Sequence, residues 1–259
     1  MRFTLFLKFF QLPTLVQLHL ISSYLHKLKS KIKTCQGPTI NPHLYYLSTH
    51  MPITSVTLEV NDETWLSLKI NDIIFFCEYE KSANKDYILA WYDGDPVNGI
   101  GGHRTSGKGY YFLIKNNELI FIGQIERPHH GKVANNGNFI LNDWLLTSDT
   151  KSKAYAFTEN GELLIKKSLR ASLVTNGISP TGKFAVYKTC NSNTPDHSVL
   201  LMFDLNARAM IWKKKFTFQD PSHFSLEGNK YIKLHYPDRT LILDWKLNHV
   251  GYETPSNSD

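Results

Sequence analysis

The sequence predicts an all-β chain built from repeated four-stranded units, and three observations predict it. Val, Ile, Phe, Tyr and Trp gather in short runs, and these residue types favour a pleated, half-buried surface. Glycine-bearing turns recur at a near-constant interval. A second marker, a strand with its own apolar signature, recurs in step with them.

The turns are seen in "VANNGNFIL" (133–141), "ISPTGKFAV" (178–186) and "FSLEGNKYIKL" (224–234). Each joins an apolar residue to a short polar turn ending in Gly and then to a β-rich run. Gly137, Gly182 and Gly228 are spaced by 45 and 46 residues. The strand marker places Leu113, Phe157 and Phe203 at intervals of 44 and 46, with Leu243 in "LILDW" 40 residues further on. A period of about 40–45 residues with four strands per unit is the mark of β-propeller blades. A single twisted sheet cannot bury both of its faces, so several must pack side by side about an axis. Asn116-Asn117, Asn136-Gly137 and Asn160-Gly161 are expected to supply the positive φ of two-residue hairpin turns.

Taken from the N-terminus, the chain begins with a different kind of sequence. Residues 1–50 are apolar and carry Arg2, Lys8, Lys27, Lys29, Lys31 and Lys33 with no acid before Glu59. These are six of the 29 lysines and arginines, which leaves 23 against 23 acids in the rest. The net charge of +6 therefore belongs to this segment, and the body offers no global field for nucleic acid. Lys8, Gln11, Pro13, Gln17 and His19 interrupt it as a membrane span, and no small-residue cleavage site follows. Three readings fit: a stretch upstream of a start at Met51, a targeting or membrane-associating segment, or an ordered part of the fold. The expected organisation is an extension over 1–50, a propeller-like body over 51–252 and a flexible tail over 253–259.

Six strand-like runs follow between 52 and 125: "SVTLEV", "TWLSLKI", "IIFFCEY", "YILAWY", "YYFLIK" and "LIFIGQI". They amount to about one and a half units, and residues 132–250 give nearly three. The expected architecture is thus an all-β, propeller-like array of about four to five four-stranded blades, preceded by a non-core basic and apolar N-terminal segment. Such an array closes as a small ring, remains an open stack, or is completed by a second copy of the chain. Cys77 sits in an apolar run, and Cys35 and Cys190 lie far from it, which excludes a disulfide framework or zinc knuckle. Free thiols suit a reducing compartment, and a cytoplasmic location is expected.

"SPTGKFAVY" (179–187) and "FDLNARAMIWKK" (203–214) resemble a turn and a strand pair of the WD-repeat, YVTN and quinoprotein-like propeller superfamily. The resemblance covers 110–250; it lacks the Gly-His and Trp-Asp pairs of true WD repeats, and it assigns no particular family. It implies an interaction platform, or less often an enzyme.

"GGHRTSGKGYYF" (101–112) has phosphate-loop spacing from Gly102 to Lys108, but Gly109 stands where a hydroxyl must hold magnesium. A β-rich run follows in place of the helix whose N-terminus would face phosphates. It is no P-loop, although its glycines could present amides to an anion. In consecutive antiparallel strands alternate connections lie at opposite ends. The tight turns at 116–117, 136–137, 160–161 and 181–182 then share one end. The long connections 93–109, 126–131, 148–153, 190–198 and 213–222 share the other, where binding residues usually sit. That end is expected to carry an anion or partner site made by His103, Arg104, Lys108, Arg127, His129 and His130, with Lys132, Lys151 and Lys153 near. His129 and His130 are neighbours in sequence, so their side chains are expected to diverge, and no metal or cofactor site is assigned. Trp65, Trp91, Trp144, Trp212 and Trp245 are read as blade packing, and Asp196-His197 as part of a surface turn.

The expected function is a non-enzymatic scaffold that holds a protein or polyanion partner, acidic or phosphorylated, on the long-loop face. Nucleic acid is one such polyanion, and membrane association depends on residues 1–50. The alternative is a metal-dependent hydrolase or nuclease using loop histidines and aspartates, such as Asp93, Asp95 and Asp149.

Overall fold

A computed structural model of the chain describes residues 53–95, 100–101, 106–147, 149–227 and 230–254. The described residues are all-β, in sheets of antiparallel strands that resemble propeller blades. In chain order the strands are β1 (Val56–Val60), β2 (Trp65–Ile70), β3 (Ile73–Lys81), β4 (Tyr87–Tyr92), β5 (Gly94–Asp95) and β6 (Ile100–Gly101). Next come β7 (Gly109–Lys115), β8 (Glu118–Ile125), β9 (Pro128–Val133), β10 (Phe139–Asp143), β11 (Ser152–Phe157) and β12 (Leu163–Leu169). The last eight are β13 (Leu173–Ile178), β14 (Phe184–Thr189), β15 (Val199–Asp204), β16 (Ala209–Lys215), β17 (His223–Glu227), β18 (Tyr231–His235), β19 (Thr240–Asp244) and β20 (His249–Glu253).

Blades 2, 3 and 4 are the sheets β9–β12, β13–β16 and β17–β20, each joined in sequence order. The two repeating markers now have a structural meaning. Gly137 and Gly182 turn the innermost hairpins of blades 2 and 3, and Leu113, Phe157, Phe203 and Leu243 occupy the third strand of all four blades. Blade 1 is β3, β4, β7 and β8, so the described residues form four blades. The six runs between 52 and 125 form one sheet, β1-β2-β3-β4-β7-β8, rather than one and a half blades.

The extra strands arise because β3 is shared along its length. Ile73 to Glu78 pair with β2, whereas Glu78 to Lys81 pair with Trp91 to Ile88 of β4. The ribbon β1–β2–β3 can therefore fold across the outer face of β4 and β7. Phe75 reaches the rings of Phe112 at 4.9 Å, Tyr110 at 5.2 Å and Tyr92 at 5.7 Å. Leu66, Leu68, Ile70 and Cys77 join them in a fully buried cluster, and burial pushes the Cys77 thiol far up in pKa.

Both faces of the middle strands are apolar because each faces a different neighbour. Leu89, Trp91, Tyr111 and Leu113 of blade 1 pack on Val133, Phe139 and Leu141 of blade 2. Ile140, Ala154 and Ile165 on the other side of blade 2 meet Tyr187, Leu201 and Phe203 of blade 3. Val186, Leu200 and Met202 then meet Phe224, Ile232 and Leu243 of blade 4.

The hairpins sort to two ends as strand alternation requires. At the turn end, neighbouring blades are tied by Asn84 N to Asn135 Oδ1 (2.9 Å), Asn135 N to Pro180 O (2.9 Å) and Asn138 Nδ2 to Gly182 O (3.1 Å). Gly182 has φ +69°, and a Cβ there would strike the Asn136 amide. Only Asn116-Asn117 makes a two-residue turn with both φ values positive (49° and 67°). At Asn136-Gly137 and Asn160-Gly161 the glycine alone is left-handed, because a wider loop closes there: Gly137 N donates to Ala134 O at 3.0 Å and Ala134 N to Asn138 O at 2.9 Å. The expected two-residue form is corrected at those two sites.

Candidate functional site

The loop end collects the connections that leave β4, β8, β10, β12, β14 and β16. Of the residues expected there, His103 and Arg104 lie outside the described residues. Lys108 is exposed just before β7.

Arg127, His129 and His130 are built into the fold rather than held out on a loop. The β8–β9 connection is only two residues long, since β9 starts at Pro128. The Arg127 guanidinium closes on one carboxylate oxygen of Asp93, with Nε and Nη2 both 2.9 Å from it. His129 Nε2 approaches the same oxygen at 3.3 Å. The His129 ring stacks on Trp144 at 3.9 Å, and Trp144 Nε1 donates to Leu173 O at 2.7 Å. Two of the expected cations thus share one acid.

The two histidines do not diverge. Their ring centroids are 6.0 Å apart, and His130 also lies against Trp144 at 5.6 Å. The cause is a bulge: Lys132 pairs with Ile140 and His129 with Asn142, so His130 and Gly131 together oppose Leu141. His130 takes φ +47°, and a Cβ on Gly131 would come within 2.7 Å of Leu89 and Trp91. Burial, with help from His129 and Lys132, lowers the pKa of His130, so its ring is neutral near pH 7. Beneath this group Asp143 accepts from Arg127 N at 2.8 Å. Its burial raises the carboxyl pKa in spite of that bond. Among the described residues no three His, Cys, Asp or Glu side chains stand together as a metal-ligand set.

The other basic residues at this end are also largely paired. Lys151 meets Asp149 at 2.6 Å, Lys153 meets Glu126 at 3.3 Å, and the buried Lys188 meets Asp220 at 2.6 Å. A different set is underneutralised. Lys167 on β12 is opposite Ala154, on the side of blade 2 that faces blade 3. Lys213 and Lys215 on β16 are opposite Leu201 and Val199, on the side of blade 3 that faces blade 2. The outer edges of the two blades therefore turn their lysines toward a common groove.

At the loop end of that groove lies Asp196, in the connection between β14 and β15. It accepts from Lys213 Nζ at 2.5 Å and from Arg170 N at 2.7 Å. Burial alone would raise its carboxyl; the bonds from Lys213 and Arg170, with the charges of Lys213 and Lys167, outweigh that and hold it low. Lys215 Nζ caps the His197 ring, 2.6 and 2.9 Å from its nitrogens, and donates to His197 O at 3.0 Å. Lys167, Arg170 and Lys215 form no ion pair among the described residues. Two lysines, Lys213 and Lys167, thus act on this carboxylate, with Arg170 and Lys215 in the neighbouring segments and Leu163 and Ile211 exposed on the same two edge strands.

Sequence reasoning did not single out this cluster. Its signal is present: the strand markers "GELLIKK" and "AMIWKK" both end in lysines, at equivalent places in successive blades.

No family model and no curated protein sequence matches the chain. Among solved structures it is similar to hydrazine synthase of Kuenenia stuttgartiensis, with 8% identity, TM-score 0.44, 71% of this chain and 66% of that one covered. It is also similar to KlHsv2 with loop 6CD replaced by a Gly-Ser linker, with 12% identity, TM-score 0.44, 80% of this chain and 76% of that one covered.

Proposed function

We propose that this chain is a non-enzymatic binding module of the WD-repeat, YVTN and quinoprotein-like propeller superfamily, acting in the cytoplasm. Its partner is an acidic or phosphorylated macromolecule, held on the loop end at the groove between blades 2 and 3. One observation carries this reading. Lys167, Arg170, Lys213 and Lys215 lie about the loop end of one groove where Asp196 neutralises Lys213 and, at longer range, Lys167, while Lys167, Arg170 and Lys215 form no ion pair among the described residues. Clustered cations on rigid strands lose little freedom on meeting a polyanion, and they release its condensed counterions. Arg127 and His129 contribute less, because Asp93 already occupies them.

The test is fluorescence anisotropy of the full chain with labelled poly-glutamate and a labelled single-stranded oligonucleotide across a salt series. Binding should weaken steeply with salt for at least one probe. The Lys167→Ala/Arg170→Ala/Lys215→Ala variant should lose about tenfold in affinity and flatten the log–log slope by about 2. Arg127→Ala should leave the slope unchanged. Absence of salt-dependent binding to both probes, or a slope lost with Arg127→Ala alone, would overturn the reading.

A further inference from the structure

The face of blade 4 turned away from blade 3 carries chemistry that the groove between blades 2 and 3 does not use. In the β17–β18 ladder Ser225 is opposite Lys233 and His223 opposite His235, so Ser225 and His235 are diagonal neighbours on that face. Ser225 Oγ lies 2.7 Å from His235 Nε2. Across the next ladder Thr240 is opposite His235, with its Oγ1 3.1 Å from Nδ1. The His223 ring stacks on the His235 ring at 4.2 Å, 5° from parallel.

These are the contacts of an activated nucleophile: a hydroxyl on a base, and the base held by a third group. With the ring proton on Nδ1 and donated to Thr240 Oγ1, His235 Nε2 accepts the Ser225 O–H. Burial, and then the charge of Lys233, lowers the His235 pKa, while Glu253 opposes them. The ring is therefore neutral near pH 7 and free to take a proton. Ser225, His235 and Thr240 are only partly buried, which leaves the site open to a reactant from solvent.

The surroundings say which reactant fits. Lys233, opposite Ser225, bridges Glu227 and Glu253, both at 2.7 Å, so this cluster holds one more carboxylate than ammonium and disfavours an anion. The amides of a sheet lie in its plane rather than on its face, so none is aimed at the oxyanion of an attacked carbonyl. Only an acyl group with a good leaving group then reacts. The serine ester that results has a poor one, and it persists.

We propose that Ser225 is a covalent acyl acceptor, modified by a small, uncharged activated ester, with His235 as the base and Thr240 as a positioning residue. Ser225 Oγ attacks the acyl carbon, and its proton passes to His235 Nε2. The bond from the acyl carbon to the leaving oxygen breaks, and that oxygen departs with the electron pair. The imidazolium then gives its proton to the leaving group or to water. The product is a serine ester formed once per chain rather than a turnover, and it is independent of what the groove binds.

Time-resolved peptide mapping of the full chain with p-nitrophenyl acetate tests this, with hydroxylamine to separate the serine ester from lysine amides. Ser225 should acquire acetyl faster than the surface hydroxyl of Ser192. His235→Gln should slow the reaction at Ser225 about 100-fold. Thr240→Val should slow it as well, and Thr240→Ser, which keeps the hydroxyl, should restore it. The Lys167→Ala/Arg170→Ala/Lys215→Ala variant should react normally. A second readout needs no variant: the rate from about pH 5 to 9 should level off above pH 6.5, where His235 has lost its proton. The charged and titratable groups facing that ring are His223, Lys233 and Glu253. Acetylation of Ser225 no faster than of Ser192, a rate unchanged in His235→Gln, or a rate that climbs throughout as for an unassisted hydroxyl would each overturn the proposal.

Discussion

At the scale of single residues, the loop end shows how one acid can consume a site. Asp93 draws in the Arg127 fork and His129, and Trp144 fixes the histidine ring from the other side. A sequence displays the charges but not their pairing, since Asp93 and Arg127 are 34 positions apart. For the same reason the Asp196 cluster was hidden: its cations come from two segments, 167–170 and 213–215, and its acid from a third. His130 carries a sharper consequence. Its folded pKa lies below its unfolded value of 6.5, mainly through burial, with His129 and Lys132 adding to it. The unfolded chain therefore binds more protons below that pH, and this histidine's contribution to stability is present above pH 6.5 and lost as pH falls from there through the folded pKa. His223 and His235 are lowered too and act in the same direction, whereas Asp143, raised by burial, acts oppositely. His130→Asn keeps a residue tolerant of positive φ and removes the titration. Urea midpoints between pH 7.5 and 5 should fall less steeply in this variant than in the parent chain; equal slopes would show that His130 is not the group responsible.

At the scale of elements, the strands were legible because burial on both faces leaves unbroken apolar runs, and all six runs between 52 and 125 are strands. Their assembly was not legible. Blade 1 turns its inner hairpin with "SANKD", where Lys85 takes φ 65° in place of a glycine, so the glycine marker misses it. The ribbon β1–β2 was also uncountable, since a strand that caps a face and one that builds a blade share the same alternation. Leu66, Leu68 and Ile70 point into the blade 1 core, while Ile74 and Phe76 on the opposite face are exposed. This ribbon is accordingly part of the core rather than an appendage. Leu68→Ala should cost about 2–4 kcal/mol in denaturant unfolding, as for a buried leucine in a blade interior. A loss below about 1 kcal/mol would mean that the ribbon packs loosely.

At the scale of the whole array, the four blades of the described residues give three apolar interfaces and two outer faces, and each outer face is managed differently. Blade 1 covers its own with the ribbon. Blade 4 presents a polar one, in which Lys233 bridges Glu227 and Glu253, both at 2.7 Å, and His235 stands between Ser225 (2.7 Å) and Thr240 (3.1 Å). Polar terminal faces are what end a repeat array without exposing a sticky core. Among the described residues no buried apolar cluster joins blade 4 to blade 1. The array leaves the groove between blades 2 and 3 as a place where two rigid edges bring their lysines together, and the proposed function rests on that juxtaposition. Its most direct test is amide hydrogen exchange of the full chain with and without a saturating anionic probe, the poly-glutamate or the oligonucleotide. The account predicts slowed exchange in 165–171, 190–198 and 213–217, with little change in 126–131. Protection confined to 126–131, or none anywhere, would contradict it.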